Sequence, residues 1–418
     1  MTDAAFGLLG RTLGHSYSPL IHQRLANIEY HLFEREPDEV ESFFRSGTWR
    51  GINVTIPYKR DAAALVDELT PVARRLGNVN TVTRRPDGTL LGDNTDYAGF
   101  RALVTSLHID LSNKAALVLG GTGGAGTTCM TVLEDLGAKA VAVSRRGPVT
   151  YDDLDAYADA ALIVNATPVG MYPACPASPV SLDAFSGLKG VIDIIYNPAR
   201  TALMMEAERR GIPTVGGLLM LVAQAAAADE HFCGVRPAWD AVRSLTDELF
   251  HHEQNIALIG MPGSGKTRVG QAIARMTGRK HVDIDWELEE RMGMSCSDYI
   301  TSRGEEAFRR EETAALRDVA ARSRLVISCG GGVVTREENY PLLHQNSRII
   351  MLDRPLQELS SKGRPISARD GVEHLARVRM PLYRAWSDVA VSSGPTPEDT
   401  ARAAIEALKV STTQEGSA

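Results

Sequence analysis

Short apolar runs alternate with longer segments of helical period along the chain. Residues Ala115–Leu119, 140–144, Leu162–Asn165, 191–195, Asn255–Ile259, Leu325–Ser328 and 348–352 read as strands. Between them, apolar residues recur three or four positions apart, the spacing of a helix packed on one face. Strand, helix, strand in this order predicts βαβ units and parallel sheets. The most apolar stretch, 215–228, contains Gln224 and is shorter than the ~20 residues a membrane span needs, so it reads as a buried helix. Residues 240–250 read as a helix and Asn255–Ile259 as a new first strand, leaving His251-His252-Glu253-Gln254 as a short linker. The tail 410–418 is small and polar and is expected to lack structure.

Length and composition narrow this picture. At 418 residues the chain exceeds one ordinary core, and two to four domains are expected. A net charge of -7 is the opposite of what a nucleic-acid partner selects. Five scattered cysteines, Cys129, Cys175, Cys233, Cys296 and Cys329, form no CxxC pair and read as reduced thiols. The first residues lack the basic start and apolar run of a secretory leader. The expectation is a cytoplasmic protein with small-molecule substrates and neither a membrane nor a nucleic-acid partner.

Two glycine-rich loops supply the first chemistry. Gly121, Gly123 and Gly126 fit GxGxxG between a strand and a helix, with Gly124 and Ala125 inside the turn. Glycines there allow a tight turn and close approach of a pyrophosphate to the helix N-terminus. The next strand ends in Ser144-Arg145-Arg146, where an NAD site would carry Asp or Glu for the ribose hydroxyls. Arginines suit a 2′-phosphate, so NADP(H) is expected; the bland alternative is a solvated turn. The second loop, Gly260-Met261-Pro262-Gly263-Ser264-Gly265-Lys266-Thr267, fits GxxxxGK[ST]. Its amides cradle phosphates, Lys266 reaches the outer ones, and Thr267 suits Mg²⁺. ATP and Mg²⁺ follow as expected ligands.

The first hundred residues carry polar clusters suited to a ligand with hydroxyls and a carboxylate. In order they are His15-Ser16-Tyr17-Ser18-Pro19, Asn53-Val54-Thr55-Ile56-Pro57-Tyr58-Lys59, Gly77-Asn78-Val79-Asn80-Thr81 and Asn94-Thr95-Asp96. After the glycine finger come Asn165-Ala166-Thr167-Pro168-Val169-Gly170-Met171, Asp193-Ile194-Ile195-Tyr196-Asn197-Pro198 and Met220-Leu221-Val222-Ala223-Gln224-Ala225. This ordered set resembles shikimate dehydrogenase over roughly residues 5–250. The resemblance implies Lys59 and Asp96 as the catalytic pair. It further implies Ser16 and Ser18 at the substrate carboxylate, and Thr55, Asn80, Tyr196 and Gln224 around the ring and hydroxyls. Asn165, Thr167 and Gly217 would belong to cofactor-contact loops.

Past residue 255, Asp283-Ile284-Asp285, the segment from Gly304 to Arg309 with Glu312, Gly330-Gly331-Gly332 and Arg379-Met380-Pro381-Leu382-Tyr383 resemble shikimate kinase. The resemblance implies Asp283 beside Mg²⁺, Asp285 orienting a substrate hydroxyl, and Arg309, Arg379, Gly331 and Gly332 holding the substrate. Lys266 and Arg364 would stabilise the transferring phosphoryl group. The stretch 359–367 looks like a short lid, without an arginine that many relatives place before it; Lys362 would compensate only as a point charge, not as a planar fork.

The expected fold is α/β throughout. Residues 1–101 with 219–250 would form an α/β substrate domain, 102–218 a Rossmann NADP domain, and 255–418 a P-loop kinase domain with a parallel sheet. The implied function is reduction of 3-dehydroshikimate to shikimate, followed by its ATP-dependent phosphorylation. The alternative is a quinate/shikimate dehydrogenase whose kinase half has decayed into a ligand-binding module.

Overall fold

The computed structural model describes residues 5–14, 16–359 and 370–415, with side chains through 409. Their contacts divide into two compact units. The first comprises Met1–Met171, Ala177–Asn197 and Glu206–Phe250; the second comprises Tyr172–Pro176, Pro198–Met205 and His251–Ala418.

The first unit holds two sheets. One is built from β1 (Ala5–Gly10), β2 (Tyr30–Glu34), β3 (Trp49–Val54), β4 (Glu68–Leu69), β5 (Thr81–Arg84) and β6 (Leu90–Asp93), in the order β2-β1-β3-β5-β6-β4. This sheet is mixed, not parallel as the alternation predicts: β5 runs antiparallel to both β3 and β6. The cause is local. Arg85 and Thr89 close a tight turn through Arg85 N–H to Thr89 O, 2.8 Å, and so short a connection returns the chain antiparallel.

The other sheet is β7 (Ala115–Leu119), β8 (Lys139–Val143), β9 (Leu162–Asn165), β10 (Gly190–Asp193) and β11 (Thr214–Gly216), in the order β11-β10-β9-β7-β8. All its pairs are parallel. The strand order reverses at β7, so a crevice opens at the carboxyl ends of β7 and β9, the usual ligand position in such sheets. Helices Asp96–Ser106 and Gly217–Cys233 pack together beside it. A methyl group at Gly99 would lie 2.7 Å from Met220 O and 3.1 Å from Gln224 Cβ. That close approach brings Asp96, at the start of one helix, towards Gln224 on the other.

The second unit carries a parallel sheet of β12 (Asn255–Ile259), β13 (Lys280–Asp283), β14 (Leu325–Ser328), β15 (Ser347–Asp353) and β16 (Val389–Ser392), in the order β13-β14-β12-β15-β16. Alternate residues of β12 serve opposite faces. Ile256 and Leu258 join Val269, Ile273 and Ala404 in one core, while Ala257 and Ile259 join Phe308, Leu316 and Tyr383 in the other. Each valine, leucine or isoleucine buried this way contributes roughly 1.5–3 kcal/mol.

Two boundaries differ from the sequence expectation. The helix Trp239–Glu253 runs through both histidines, leaving Gln254 alone before β12, because His251-His252-Glu253 contains no helix breaker. Likewise Pro397–Glu415 is one helix; nothing in 410–415 stops it before Gly416. No described helix is long and apolar enough to cross a membrane.

Candidate active sites

The first site lies in the N-terminal unit, in a cavity walled by Ser16, Ser18, Thr55, Lys59, Asn80, Asp96, Tyr196 and Gln224. All eight substrate and catalytic positions named from the sequence for this half therefore meet on one surface. Lys59 opens the helix Lys59–Leu65 just past β3, and Asp96 opens Asp96–Ser106 just past β6. Lys59 Nζ donates to Asp96 Oδ2 at 2.5 Å, with the side chains 29% and 14% exposed. Both are reachable from the cavity yet sheltered, as a proton-transfer pair requires. Asn80 holds the arrangement: its Nδ2 donates to Asp96 Oδ1 at 3.0 Å and to Gln224 Oε1 at 3.1 Å, while its Oδ1 accepts from Thr95 N–H at 2.7 Å. At the other end, Ser18 N–H donates to Ser16 Oγ at 3.2 Å, tying the two serines into one turn. Tyr196 meets Tyr17 edge to face, with ring centroids 6.1 Å apart. Asn53 and His22 also wall the cavity and were not singled out from the sequence. The Asn53 signal is its place in the Asn-Val-Thr cluster; that of His22 is its position one helical turn after Ser18.

The glycine finger stands at the crevice of the all-parallel sheet. A Cβ at Gly126 would fall 2.2 Å from Gly120 O, whereas one at Gly124 would meet nothing within 4 Å. Gly126 thus serves close helix-to-loop packing, and Gly124 leaves the helix N-terminus bare for a phosphate group. Gly123 and Ala125 complete the turn, and Gly121 packs against Ala142. Ser144 follows the last residue of β8, and Arg145 and Arg146 come next on an exposed turn. Because β8 pairs with β7 in parallel, that turn shares the carboxyl edge with the finger. Neither arginine has an ion pair among the described residues.

Two positions expected in cofactor-contact loops, Asn165 and Gly217, are packed closely within the protein. Asn165 is fully buried. Its Nδ2 donates to Val169 O and Asp193, and its Oδ1 accepts from Thr167 N–H and Oγ1, so it shapes the loop that carries Thr167. Gly217 sits where a Cβ would come 1.9 Å from Ile194 O; its constraint is protein packing.

The second site is a cavity of about 430 Å³ in the C-terminal unit. It is lined by Gly263, Gly265, Lys266, Thr267, Asp283, Asp285, Arg309, Gly331, Gly332 and Arg379. Gly263 and Gly265 have φ of 88° and 93°, the left-handed backbone that glycine adopts readily. Gly265 caps the helix Lys266–Thr277. Lys266 Nζ donates to Gly260 O at 2.9 Å and Met261 O at 3.1 Å, which ties it to the loop. Ser264 does not line this cavity: it is 2% exposed and donates its N–H to Met261 O, so it shapes the loop from behind. Thr267 Oγ1 donates to Asp283 Oδ2 at 2.7 Å. These hard oxygens beside a phosphate loop suit Mg²⁺. Asp283 also caps the helix Ile284–Met292 by accepting from Asp285 N–H.

Asp285 is pushed up to about 6, first by desolvation and then by the nearby Asp283 and Glu312 carboxylates. The side chain still reaches solvent in the open cavity, so the two like charges are the firmer cause. Arg309 and Arg379 are both buried. Arg309 Nη1 donates to Glu312 Oε2 at 2.6 Å, and Arg379 Nη1 donates to Gly331 O at 3.0 Å. The glycine triplet accommodates this machinery. A Cβ at Gly330 would lie 2.3 Å from Glu312 Oε1, and one at Gly332 would lie 2.1 Å from Arg309 Cζ. Arg268, Cys296 and Arg354 also line the cavity. Of these, Arg354 had a usable signal, a cation just past the end of a parallel strand. Arg364 and Lys362 lie outside the described residues.

Comparison with known proteins fits this division. The family model "Shikimate dehydrogenase substrate binding domain" matches residues 8–82, and "Shikimate kinase" matches 262–409. A shikimate dehydrogenase (NADP(+)) of Clostridium perfringens is 34% identical over 267 residues, covering 58% of this chain and 97% of the relative. Shikimate dehydrogenase 1 from Peptoclostridium difficile is similar in structure, with 35% identity, a TM-score of 0.52, and 58% and 97% of the two chains covered. The Thermus thermophilus enzyme in complex with NADP(H) and shikimate has 30% identity and a TM-score of 0.53, with 58% and 98% covered. The chain belongs to the shikimate dehydrogenase family and continues into a shikimate kinase domain, a fusion of the two.

Proposed function

We propose that the two cavities carry consecutive reactions: NADPH-dependent reduction of 3-dehydroshikimate to shikimate, then ATP-dependent phosphorylation of shikimate. The observation that carries the reading is the sheltered Lys59–Asp96 contact inside a cavity whose other walls are hydroxyls and amides. NADPH bound at the glycine finger would supply the hydride. Lys59 would deliver the accompanying proton to the carbonyl oxygen, with Asp96 orienting the ammonium. Ser16 and Ser18 would hold the carboxylate, while Thr55, Asn80, Tyr196 and Gln224 would fix the ring. Arg145 and Arg146 favour NADP over NAD because they stand on the finger's own edge of the sheet.

In the second cavity, ATP with Mg²⁺ would supply the phosphoryl group. Thr267 and Asp283 would hold the metal. Lys266 would meet the phosphates, and Asp285 would accept from the substrate hydroxyl. Arg309 and Arg379 would grip the carboxylate by charge-assisted bonds, and Arg364 would serve the lid. The domain division expected from the sequence accompanies this assignment, and a cytoplasmic setting with NADPH and ATP at hand goes with it.

The test uses the purified full chain in two separate assays. Shikimate should drive reduction of NADP faster than of NAD, and faster than quinate does. Shikimate should also drive ADP release from ATP-Mg²⁺. Inactivity in the first assay removes the dehydrogenase assignment; ADP release indifferent to shikimate removes the kinase one.

A further inference from the structure

His22 and Asp229 form a buried pair that the chemistry above does not use. Both are essentially inaccessible, at 1% and 0% exposure, and His22 Nδ1 lies 2.6 Å from Asp229 Oδ1. Asp229 stands on the helix Gly217–Cys233, which also supplies Gln224. Its second oxygen, Oδ2, is buried with no hydrogen-bond partner among the described residues. Burying a carboxylate in this way is costly unless its partner is firmly held.

The imidazole is held by two aromatic rings and by Asp229. Its ring stacks on Tyr30, with centroids 4.2 Å apart and planes 12° apart, and leans on Phe232. Tyr30 OH is itself fixed by donating to Asn53 Oδ1 at 2.7 Å. Asp229 occupies Nδ1, which sets the role of the other ring nitrogen. That nitrogen, Nε2, has no partner among the described residues. His22 is part of the cavity wall, and it follows Ser18 by four residues on the helix Ser18–Ala26. Residues so spaced share a helix face.

We propose that His22 is a further substrate-binding residue of the dehydrogenase cavity, with Nε2 donating to the substrate carboxylate beside Ser16 and Ser18 while Asp229 positions the ring from behind. In that complex each ring nitrogen faces one carboxylate. The inference rests on the reading that this cavity takes a cyclic polyol carboxylate.

Two substitutions separate binding from mere packing. His22→Asn keeps an N–H near the Nδ1 position for Asp229 and removes Nε2. His22→Gln carries its amide out towards the Nε2 position and gives up the Asp229 bond. Shikimate oxidation by the full chain is measured at saturating NADP, then NADP is varied at saturating shikimate. We expect His22→Asn to raise KM for shikimate by about 10- to 100-fold, the range for losing a charge-assisted bond. Its kcat should stay within about threefold and its KM for NADP should be unchanged, while His22→Gln recovers much of the lost affinity.

A purely structural pair gives the reverse order: His22→Asn near wild type and His22→Gln impaired and less heat-stable. That order, or an equal loss for shikimate and NADP, overturns the proposal. Should the ring substitutions not fold, Asp229→Asn, which keeps volume and an acceptor for Nδ1, must still raise KM for shikimate several-fold; an unchanged KM there also overturns it. A wild-type chain that does not oxidise shikimate would instead refute the underlying reading of the cavity.

Discussion

Substituting Gly332 by alanine places one methyl group against the proposed carboxylate grip of the kinase site. The backbone there has φ -101° and ψ 0°, which alanine tolerates, so the effect is steric. The added Cβ would lie 2.1 Å from Arg309 Cζ and 2.2 Å from each terminal nitrogen. Ordinary contact begins near 3.4 Å, so the guanidinium must retreat by more than about 1 Å. It has little freedom to do so, because Glu312 holds Nη1 at 2.6 Å and the side chain is only 8% exposed. A shift of that size removes a charge-assisted hydrogen bond to substrate, about 1.5–3 kcal/mol. This corresponds to a rise in KM for shikimate on the order of 10- to 150-fold. The phosphate loop is untouched, so KM for ATP should stay within about twofold. The assay is ADP release with shikimate varied at saturating ATP-Mg²⁺, then ATP varied at saturating shikimate. A normal KM for shikimate, or an equal rise for ATP, would refute the role given to Arg309.

Three further outcomes are expected. Asp285 is raised from an ordinary 3.8 to about 6, and its ionised form is the one that accepts a proton. Kinase kcat/KM should therefore fall as the pH drops through the Asp285 titration, at a pH that Mg²⁺ held by Asp283 would bring below about 6; a profile that rises towards low pH would count against it. Lys59→Ala should lower dehydrogenase kcat by about 10²–10⁴-fold while shikimate still binds, as checked by initial rates and equilibrium titration. Arg145→Ser should raise KM for NADP far more than for NAD; equal changes would return that arginine to a solvated turn.

Much of the fold was legible because strand and helix periods differ and the phosphate loops mark strand-to-helix turns. Ala115–Leu119, Leu162–Asn165, Asn255–Ile259 and Leu325–Ser328 have the same bounds in the sequence reading and the structure. The antiparallel β5–β6 hairpin was missed because the expectation generalised from βαβ spacing and gave no weight to the short turn at 85–89. The cavity-lining residues were legible where motifs cluster in sequence, as with Thr55 and Lys59.

What stayed hidden depends on contacts between distant segments. Asp229 gave no signal, since its partner lies 207 positions away. The need for Gly332 comes from Arg309 on another helix. Asn165 closes β9 and Ser264 sits within the second glycine loop, and both side chains are buried in the protein. Motif membership locates a loop but does not say which way each side chain turns.

The central claim is that one chain makes shikimate and then consumes it. A single reaction containing 3-dehydroshikimate, NADPH and ATP-Mg²⁺, with NADPH loss and ADP formation followed together, tests it most directly. The account predicts that ADP appears after a short lag, approaches one equivalent per NADPH oxidised, and does not form when NADPH is omitted. NADPH loss without ADP, or ADP at the same rate without NADPH, would contradict it.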